Sequence, residues 1–245
     1  LSAPNNNLGV EYLRALEQDG WAMGAITVRR EGAPHDSLLE GDARPAFLSA
    51  TQLRTFLARD DWAAAEPYLP HNGLGVLREN WNGVPTLERV ERGLLARLRT
   101  MTAEDWSALP DSGAAEGLPP RLERAGKQCR SLEEFLSLAK PKHWTNARMR
   151  RLLVWAWLGL TQADCPDTPP YLRVLGFHER GRAVLKAMKG QSRFPILTKP
   201  AHAHKLNEPG KALFDLESRC TDLYDLCLEQ LPIPHREWTT GPVRL

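Results

Sequence analysis

Apolar residues at Leu8, Tyr12, Leu13 and Leu16 recur at helical spacing and predict a helix over Leu8–Gln18, with an Asn before it as cap and Asp19-Gly20 as its stop. Ala25–Val28 then reads as a short strand. It is followed by a loop of about twenty residues, Arg29–Leu48, a length that inside a domain is usually either functional or disordered. Ser49 or Thr51 is placed to cap a helix over Gln52–Arg59.

From Asp61 the texture changes. Pro67, Pro70, Asn72-Gly73, Asn82-Gly83 and Pro85 break the chain into short pieces, so a domain boundary is expected near Asp60, giving domains 1–60 and 61–245. Leu87–Arg99 and Ala103–Leu109 look helical, Pro110–Pro120 reads as a loop, and Arg121–Gln128 and Leu132–Leu138 resume the helical pattern. In Thr145–Leu160 a stripe of Met149, Leu152, Leu153, Ala156 and Leu160, widened by Trp155 and Trp157, marks a core helix. Tyr171–Phe177 and Phe194–Thr198 read as strands on either side of a helix over His178–Lys189, the length a parallel crossover needs. Leu206–Leu231 is expected to be mostly helix and Pro232–Leu245 an irregular tail. The fold class predicted is α/β, with the strand-helix-strand unit inside a mainly helical second domain.

Composition adds limits. The 245 residues are 42% apolar and 25% charged, a soluble globular balance that can bury a sizeable core. No apolar run approaches the roughly 20 residues a membrane span needs and no signal peptide is visible, so the expectation is a cytoplasmic protein. The chain opens on Leu1 and directly on a motif, which leads to the expectation that an amino-terminal part precedes it. Cys129, Cys165, Cys220 and Cys227 show neither a disulfide framework nor paired Cys-x-x-Cys knuckles; Cys220 and Cys227, seven apart, share a helical face and read as small buried side chains. His202-x-His204 alone is read as exposed rather than metal-binding, and no metal is predicted.

Two stretches carry candidate chemistry. The free N–H groups and dipole of a helix beginning after Ser49 and Thr51, with Arg54 one turn in, would favour a phosphate, although an ordinary capped surface helix has the same pattern. Net charge is only +2, but Lys140, Lys142, Arg148, Arg150 and Arg151 occur without an intervening acid. The dipole disfavours cations at a helix start, so an anion should lie close by: a phosphate backbone would serve, and so would acids from the 215–229 segment.

The order of motifs resembles one family. Ser2-Ala3-Pro4-Asn5-Asn6-Asn7, Arg30-x-Gly32-Ala33 with His35-Asp36, and Ser49-Ala50-Thr51-x-Leu53-Arg54 come first. Lys142-x-x-Thr145-x-x-Arg148-x-x-Arg151, Pro169-Pro170-Tyr171-Leu172-Arg173, Pro195-Ile196-Leu197-Thr198-Lys199 and Arg219-Cys220-Thr221-Asp222 follow. Together they resemble the bacterial HIGH-type nucleotidyltransferase-like proteins typified by tRNA(Met) cytidine acetate ligase, from Ser2 to about Leu228.

That resemblance implies the later part of a Rossmann-like nucleotidyltransferase domain followed by a helical domain that helps hold tRNA. It implies a ligase that activates acetate with ATP, as acetyl-adenylate, and acetylates the wobble cytidine of elongator tRNA(Met). ATP, with Mg2+, would contact Asn5 and Arg30, and with them Ser49, Thr51 and Arg54; Lys140, Lys142, Arg148 and Arg151 would face tRNA phosphates. An amide at a helix start and a forked, permanently charged guanidinium suit those roles, although a helix cap and a solvated charge are their ordinary readings. The family's His-x-Gly-His motif is absent from these residues, so its catalytic histidines are expected upstream and the chain is expected to be inactive alone. His178 stands where relatives carry Asn, and Pro119-Pro120 where they carry a polar pair. Two rivals stay open: an adenylyltransferase of the same superfamily acting on a small metabolite, and a non-catalytic RNA-binding remnant.

Overall fold

A computed structural model describes residues 4–20, 22–29, 31–32 and 46–245, without the side chains of residues 4 and 5. It divides into two units, Leu1–Val84 and Pro85–Leu245; the boundary expected near Asp60 lies inside the first.

In the first unit α1 spans Pro4–Gln18. Proline suits the first helical turn, where its missing N–H costs nothing, so the helix starts at Pro4 and takes Asn5, Asn6 and Asn7 into itself; the expected cap by one of these Asn residues is corrected. The apolar stripe of α1 remains exposed at Leu8, Tyr12 and Leu13. Residues 22–29 form no strand. No described segment hydrogen-bonds to them as a ladder, and Ile26 and Val28 stand in solvent. Most of the Arg29–Leu48 loop lies outside the described residues.

Helix α2, Ala50–Ala58, is followed by α3, Trp62–Ala65, and α4, His71–Glu79, in a stretch whose Pro and Asn-Gly punctuation predicts only short pieces. The Asp61 carboxylate accepts from Ala64 N–H to cap α3. Trp62 packs edge-on against Trp81 at 5.5 Å and lies beneath the Arg78 guanidinium, which Glu66 holds at 3.0 Å. Asn72-Gly73 is inside α4 because Pro70 precedes the helix and leaves both residues in its first turn, where propensity counts least.

The second unit begins with five helices around one apolar core: α5 Glu91–Thr100, α6 Ala103–Ser107, α7 Leu118–Gln128, α8 Leu132–Ala139 and α9 Asn146–Leu158. Leu94, Leu98, Trp106, Leu122, Phe135, Met149, Leu152 and Leu153 are sealed within it, Trp106 stacked on Phe135 at 5.8 Å. Polar punctuation sets the ends. Thr102, Ser131 and Thr145 accept a backbone N–H at the starts of α6, α8 and α9, and Gly159, in a left-handed conformation, stops α9. Asp105 completes a capping box, and its carboxyl is held below the usual range by the backbone N–H and hydroxyl of Thr102. Pro119 and Pro120 occupy the first turn of α7, so that helix starts three residues before the expected Arg121.

Beyond the core comes the strand-helix-strand unit. β1, Leu172–Arg173, pairs in parallel with β3, Ile196–Leu197, across α10, Glu179–Met188. β2, Gly176–Phe177, pairs in parallel with β4, Val243–Arg244. The tail expected to be irregular therefore supplies a strand, and also α12, Arg236–Thr239, which packs on α11, Glu208–Asp225. Its pairing partners are remote in sequence: Val243 N–H donates to Leu175 O and Leu245 N–H to Phe177 O. Tyr171, Leu197, Ala203, Leu206 and Phe214 form the second buried cluster, with Trp238 against it. The chain is thus α/β with helices predominating.

Helices α5 and α7 approach most closely at Gly126, where an added Cβ would stand 2.6 Å from the Leu98 carbonyl oxygen. In an open helix Gly→Ala stabilises by about 1 kcal/mol. Here overpacking reverses the sign: Gly126→Ala is expected to destabilise by about 1–3 kcal/mol, read as a lower denaturant midpoint, and a raised midpoint would contradict this packing.

Candidate functional site

In the first unit the start of α2 gathers three of the expected ATP contacts. The Ser49 hydroxyl accepts from Gln52 N–H at 3.1 Å and is buried, which makes Ser49 the helix cap. Thr51, half-buried, sits in the first turn, and its carbonyl accepts from the Thr55 hydroxyl at 3.0 Å. Arg54, one turn in, is exposed. This turn offers an anion a helix dipole and a forked cation. Asn5 belongs to α1, but its side chain, like Arg30 as a whole, lies outside the described residues.

At α9 the anion that its arginines require is protein. Asp111 and Glu116, from the loop before α7, supply it, and the 215–229 segment does not. Arg148 pairs with Asp111 at 2.8 Å and with Glu116 at 3.5 Å, and Arg151 reaches Asp111 at 3.3 Å. The Arg148 guanidinium lies 3.2 Å from the Trp144 ring centroid, while the Trp144 indole N–H donates to Glu116 at 2.8 Å. The loop can fold this closely over Trp144 because Gly113 is left-handed: a Cβ there would stand 2.3 Å from the indole. Each such pair at a surface contributes up to about 1 kcal/mol, so the cluster fixes a loop more than it adds stability. Lys142 and Arg150 remain exposed, and Lys140 is half-buried.

The later motifs converge on Arg173. Its guanidinium bridges Glu217, at 3.2 Å, and Glu237, and lies over the Phe214 ring. The Tyr171 hydroxyl donates to the same Glu217 oxygen at 2.7 Å, the Thr221 hydroxyl to Glu237 at 2.6 Å, and Arg236 binds Asp225. A hollow of about 310 Å3 opens beside this network, lined by Arg173, Lys199, Thr221, Arg236 and Glu237 among others. Burial, and then the Glu217 carboxylate, push the Tyr171 phenol far up, so it stays a hydrogen-bond donor. Tyr171, Arg173, Lys199 and Thr221 belong to the ordered motifs, but their separation along the chain hides the work they share with Glu217, Glu237 and Arg236.

His178 caps α10, its Nδ1 accepting from Gly181 N–H at 3.0 Å, a task a side-chain carbonyl could equally perform. His204 is exposed, as expected, and stacks on Trp238 at 4.7 Å, whereas His202 is half-buried. Among the described residues no group of three or more His, Cys, Asp or Glu is placed to hold a metal, and no helix is long and apolar enough to cross a membrane. Burial raises the thiols of Cys129, Cys220 and Cys227.

The same fold occurs in solved proteins. All of the chain matches apo Thermotoga maritima TmcAL at a TM-score of 0.84 and 25% identity, covering 61% of that chain. The form of that protein bound with alpha-thio ATP matches at 0.83, covering 60% of it. This is an α/β protein with a nucleotidyltransferase-like fold. The HIGH Nucleotidyl Transferase family profile matches residues 1–237, and the chain belongs to that family.

Its relatives include the tRNA(Met) cytidine acetate ligases of Caldanaerobacter subterraneus subsp. tengcongensis, 30% identical over 239 residues, and of Kosmotoga olearia, 33% identical over 205. The first alignment covers 95% of this chain and 57% of the relative, the second 80% and 47%. The chain therefore spans about half the length of the curated relatives it matches.

Tyr171→Phe tests the Arg173 network. Losing a hydrogen bond to a charged group is expected to cost about 1.5–3 kcal/mol. The folded phenol titrates above the unfolded value of 10.0, so its contribution is complete below that pH and is lost as pH rises toward the folded value. A spectrophotometric titration should show one phenol withheld in the parent protein and none in the variant; identical curves would refute the assignment.

Proposed function

We propose that this chain serves an ATP-dependent ligase that forms acetyl-adenylate and transfers the acetyl group to the wobble cytidine of elongator tRNA(Met). The supporting observation is the match to a nucleotidyltransferase family along residues 1–237, with relatives named for that reaction and a solved neighbour bound with alpha-thio ATP. Residues 1–60 belong to a Rossmann-like nucleotide domain and residues 61–245 to a mainly helical domain that faces tRNA.

In this reading ATP is gripped by Asn5 and Arg30 and by the first turn of α2. Ser49 orients that turn as its cap, Thr51 borders it, and Arg54 supplies charge. Attack of an acetate oxygen on the α-phosphorus builds charge on the phosphate oxygens as pyrophosphate departs, and positioned cations and N–H groups stabilise it. Mg2+ travels with the ATP phosphates. The residues that run the adenylation step belong to the family's His-x-Gly-His motif, which these 245 residues do not contain, so the chain alone binds ATP without turning it over. Of the four cations assigned to tRNA, Lys140 and Lys142 have no acidic partner among the described residues, whereas Arg148 and Arg151 must exchange Asp111 and Glu116 for phosphate.

The test joins this chain to a His-x-Gly-His element in one polypeptide and supplies ATP, labelled acetate and elongator methionine tRNA. Label is expected in the RNA. Pyrophosphate release that answers to another acid, with no label in RNA, would favour a small-metabolite adenylyltransferase; tRNA binding without ATP affinity would leave a non-catalytic RNA-binding protein. Arg54→Ala and Arg30→Ala are each expected to weaken ATP binding roughly tenfold or more, the worth of one charge-assisted hydrogen bond.

A further inference from the structure

A concentration of unneutralised positive charge lies on the strand-helix-strand unit. Residues 171–199 hold seven lysines and arginines against one acid, Glu179, in a chain whose net charge is only +2. Arg173 is consumed by Glu217 and Glu237. Arg182 has a loose, exposed contact to Glu179 at 3.7 Å, a geometry worth little in water. Lys186, Lys189, Lys199 and Arg244 have no carboxylate partner among the described residues, and all four are exposed.

The fold brings these cations to one place. Arg182 and Lys186 stand at i and i+4 along α10 and so share a helical face, and Lys189 follows directly as the residue that ends the helix. Lys199 follows β3, and Arg244 is in β4, held beside Phe177 by the parallel pairing of β2 with β4. All five line one hollow of about 470 Å3, with Glu179 the only aspartate or glutamate among its lining residues. An adjoining hollow of about 530 Å3 shares Leu185, Lys189 and Thr198 with it and adds Arg193 and His202.

We infer that this cleft docks a run of successive RNA backbone phosphates, gripped by Arg182, Lys186, Lys189, Lys199 and Arg244. The inference rests on reading the chain as one that acts on tRNA, and it assigns the electrostatic grip to a face other than α9. From Arg182 to Lys189 the helix advances about 10 Å, more than one phosphate group spans and suited to several in sequence. Exposed lysines and arginines that donate to phosphate oxygens are how proteins position nucleic acid without reading bases. A protein partner is disfavoured because protein interfaces centre on apolar residues with charge at the rim, whereas here the charge lines the hollow.

The experiment measures binding of an unmodified tRNA(Met) transcript to the full chain by fluorescence anisotropy between about 50 and 200 mM salt, since each neutralised phosphate adds roughly 0.7–0.9 to the slope of log affinity against log salt. Lys186→Ala/Lys189→Ala/Arg244→Ala is expected to weaken binding at least tenfold and to flatten the slope by about 2–3, with Lys186→Ala alone removing about one of those units. Lys186→Arg/Lys189→Arg should keep both affinity and slope, and Lys140→Ala/Lys142→Ala should change the slope less than the triple variant does. Unchanged thermal melting of each variant shows that the fold is intact.

If the parent chain binds tRNA and the triple variant matches its affinity and slope, the cleft assignment fails while the ligase reading stands. If the parent chain binds no RNA at low salt although the joined protein still labels tRNA, the cleft again fails on its own. No binding and no labelling together overturn both. If the triple variant loses polyglutamate but keeps tRNA, the surface belongs to an acidic protein and the proposal is wrong.

Discussion

The second half of the fold depends on one guanidinium. The strands of the strand-helix-strand unit are two residues long, and pairs that short do not hold themselves together in water. Arg173, on β1, ties them to the helices by bridging Glu217 of α11 and Glu237 of α12 while covering Phe214. Tyr171 donates to the same Glu217 oxygen as Arg173, and Thr221 to the other oxygen of Glu237. The arrangement is only partly buried, so its worth lies less in Coulomb energy than in fixing the angle between strands and helices, and with it where Lys199 and Arg244 stand. Removing the guanidinium would leave Glu217 and Glu237 without their shared counter-ion, which is the costly way to break such a cluster.

The two basic regions show why charge has to be read in three dimensions. Along the sequence, Lys140–Arg151 looks free because no acid interrupts it, yet its arginines are met by Asp111 and Glu116 from a loop some thirty residues earlier. The α10 region looks ordinary in sequence, its cleft cations scattered over a helix, two connecting segments and the last strand. Folding concentrates them in one cleft whose described lining includes a single Asp or Glu, Glu179, paired with Arg182. The helix dipole argument correctly demands an anion at the start of α9. It is silent on which anion, because the loop that supplies it is placed by Gly113 and Trp144, a contact no local pattern reveals.

Legibility follows the range of the forces involved. Helices set by apolar spacing were readable: Met149, Leu152, Leu153 and Ala156 face the core from α9 as the stripe predicts, although the helix ends before Leu160. The β1–α10–β3 crossover was readable for the same reason, since its length and hydrophobicity are local. What depends on distant partners was not. Ala25–Val28 has strand composition but finds no ladder among the described residues, while the polar tail, with no strand signal, gains one from Phe177 and Leu175. Of the residues proposed to contact ATP, Ser49 was legible as a cap. The free N–H groups, the dipole and Arg54 make the turn it caps suited to a phosphate, but an ordinary capped helix has the same pattern, so the ordered motifs were needed to choose between the two.

A grip made from phosphate contacts has a consequence for recognition. Such contacts are the same for every RNA, so they set affinity and register and contribute nothing to choosing one tRNA over another. Discrimination has to come from the shape of the RNA or from bases splayed out of their stacks, which needs aromatic or hydrogen-bonding side chains that are not already committed. Around the cleft, Phe194 lies half-buried under Arg193, His202 lines the adjoining hollow, and Trp238 is occupied by His204 and Phe214. Trp238 is thus committed to packing, while Phe177, Phe194 and His202 line the two hollows. In the proposed reading the cleft would hold an RNA by its backbone, and recognition of a particular base would fall to residues beyond it.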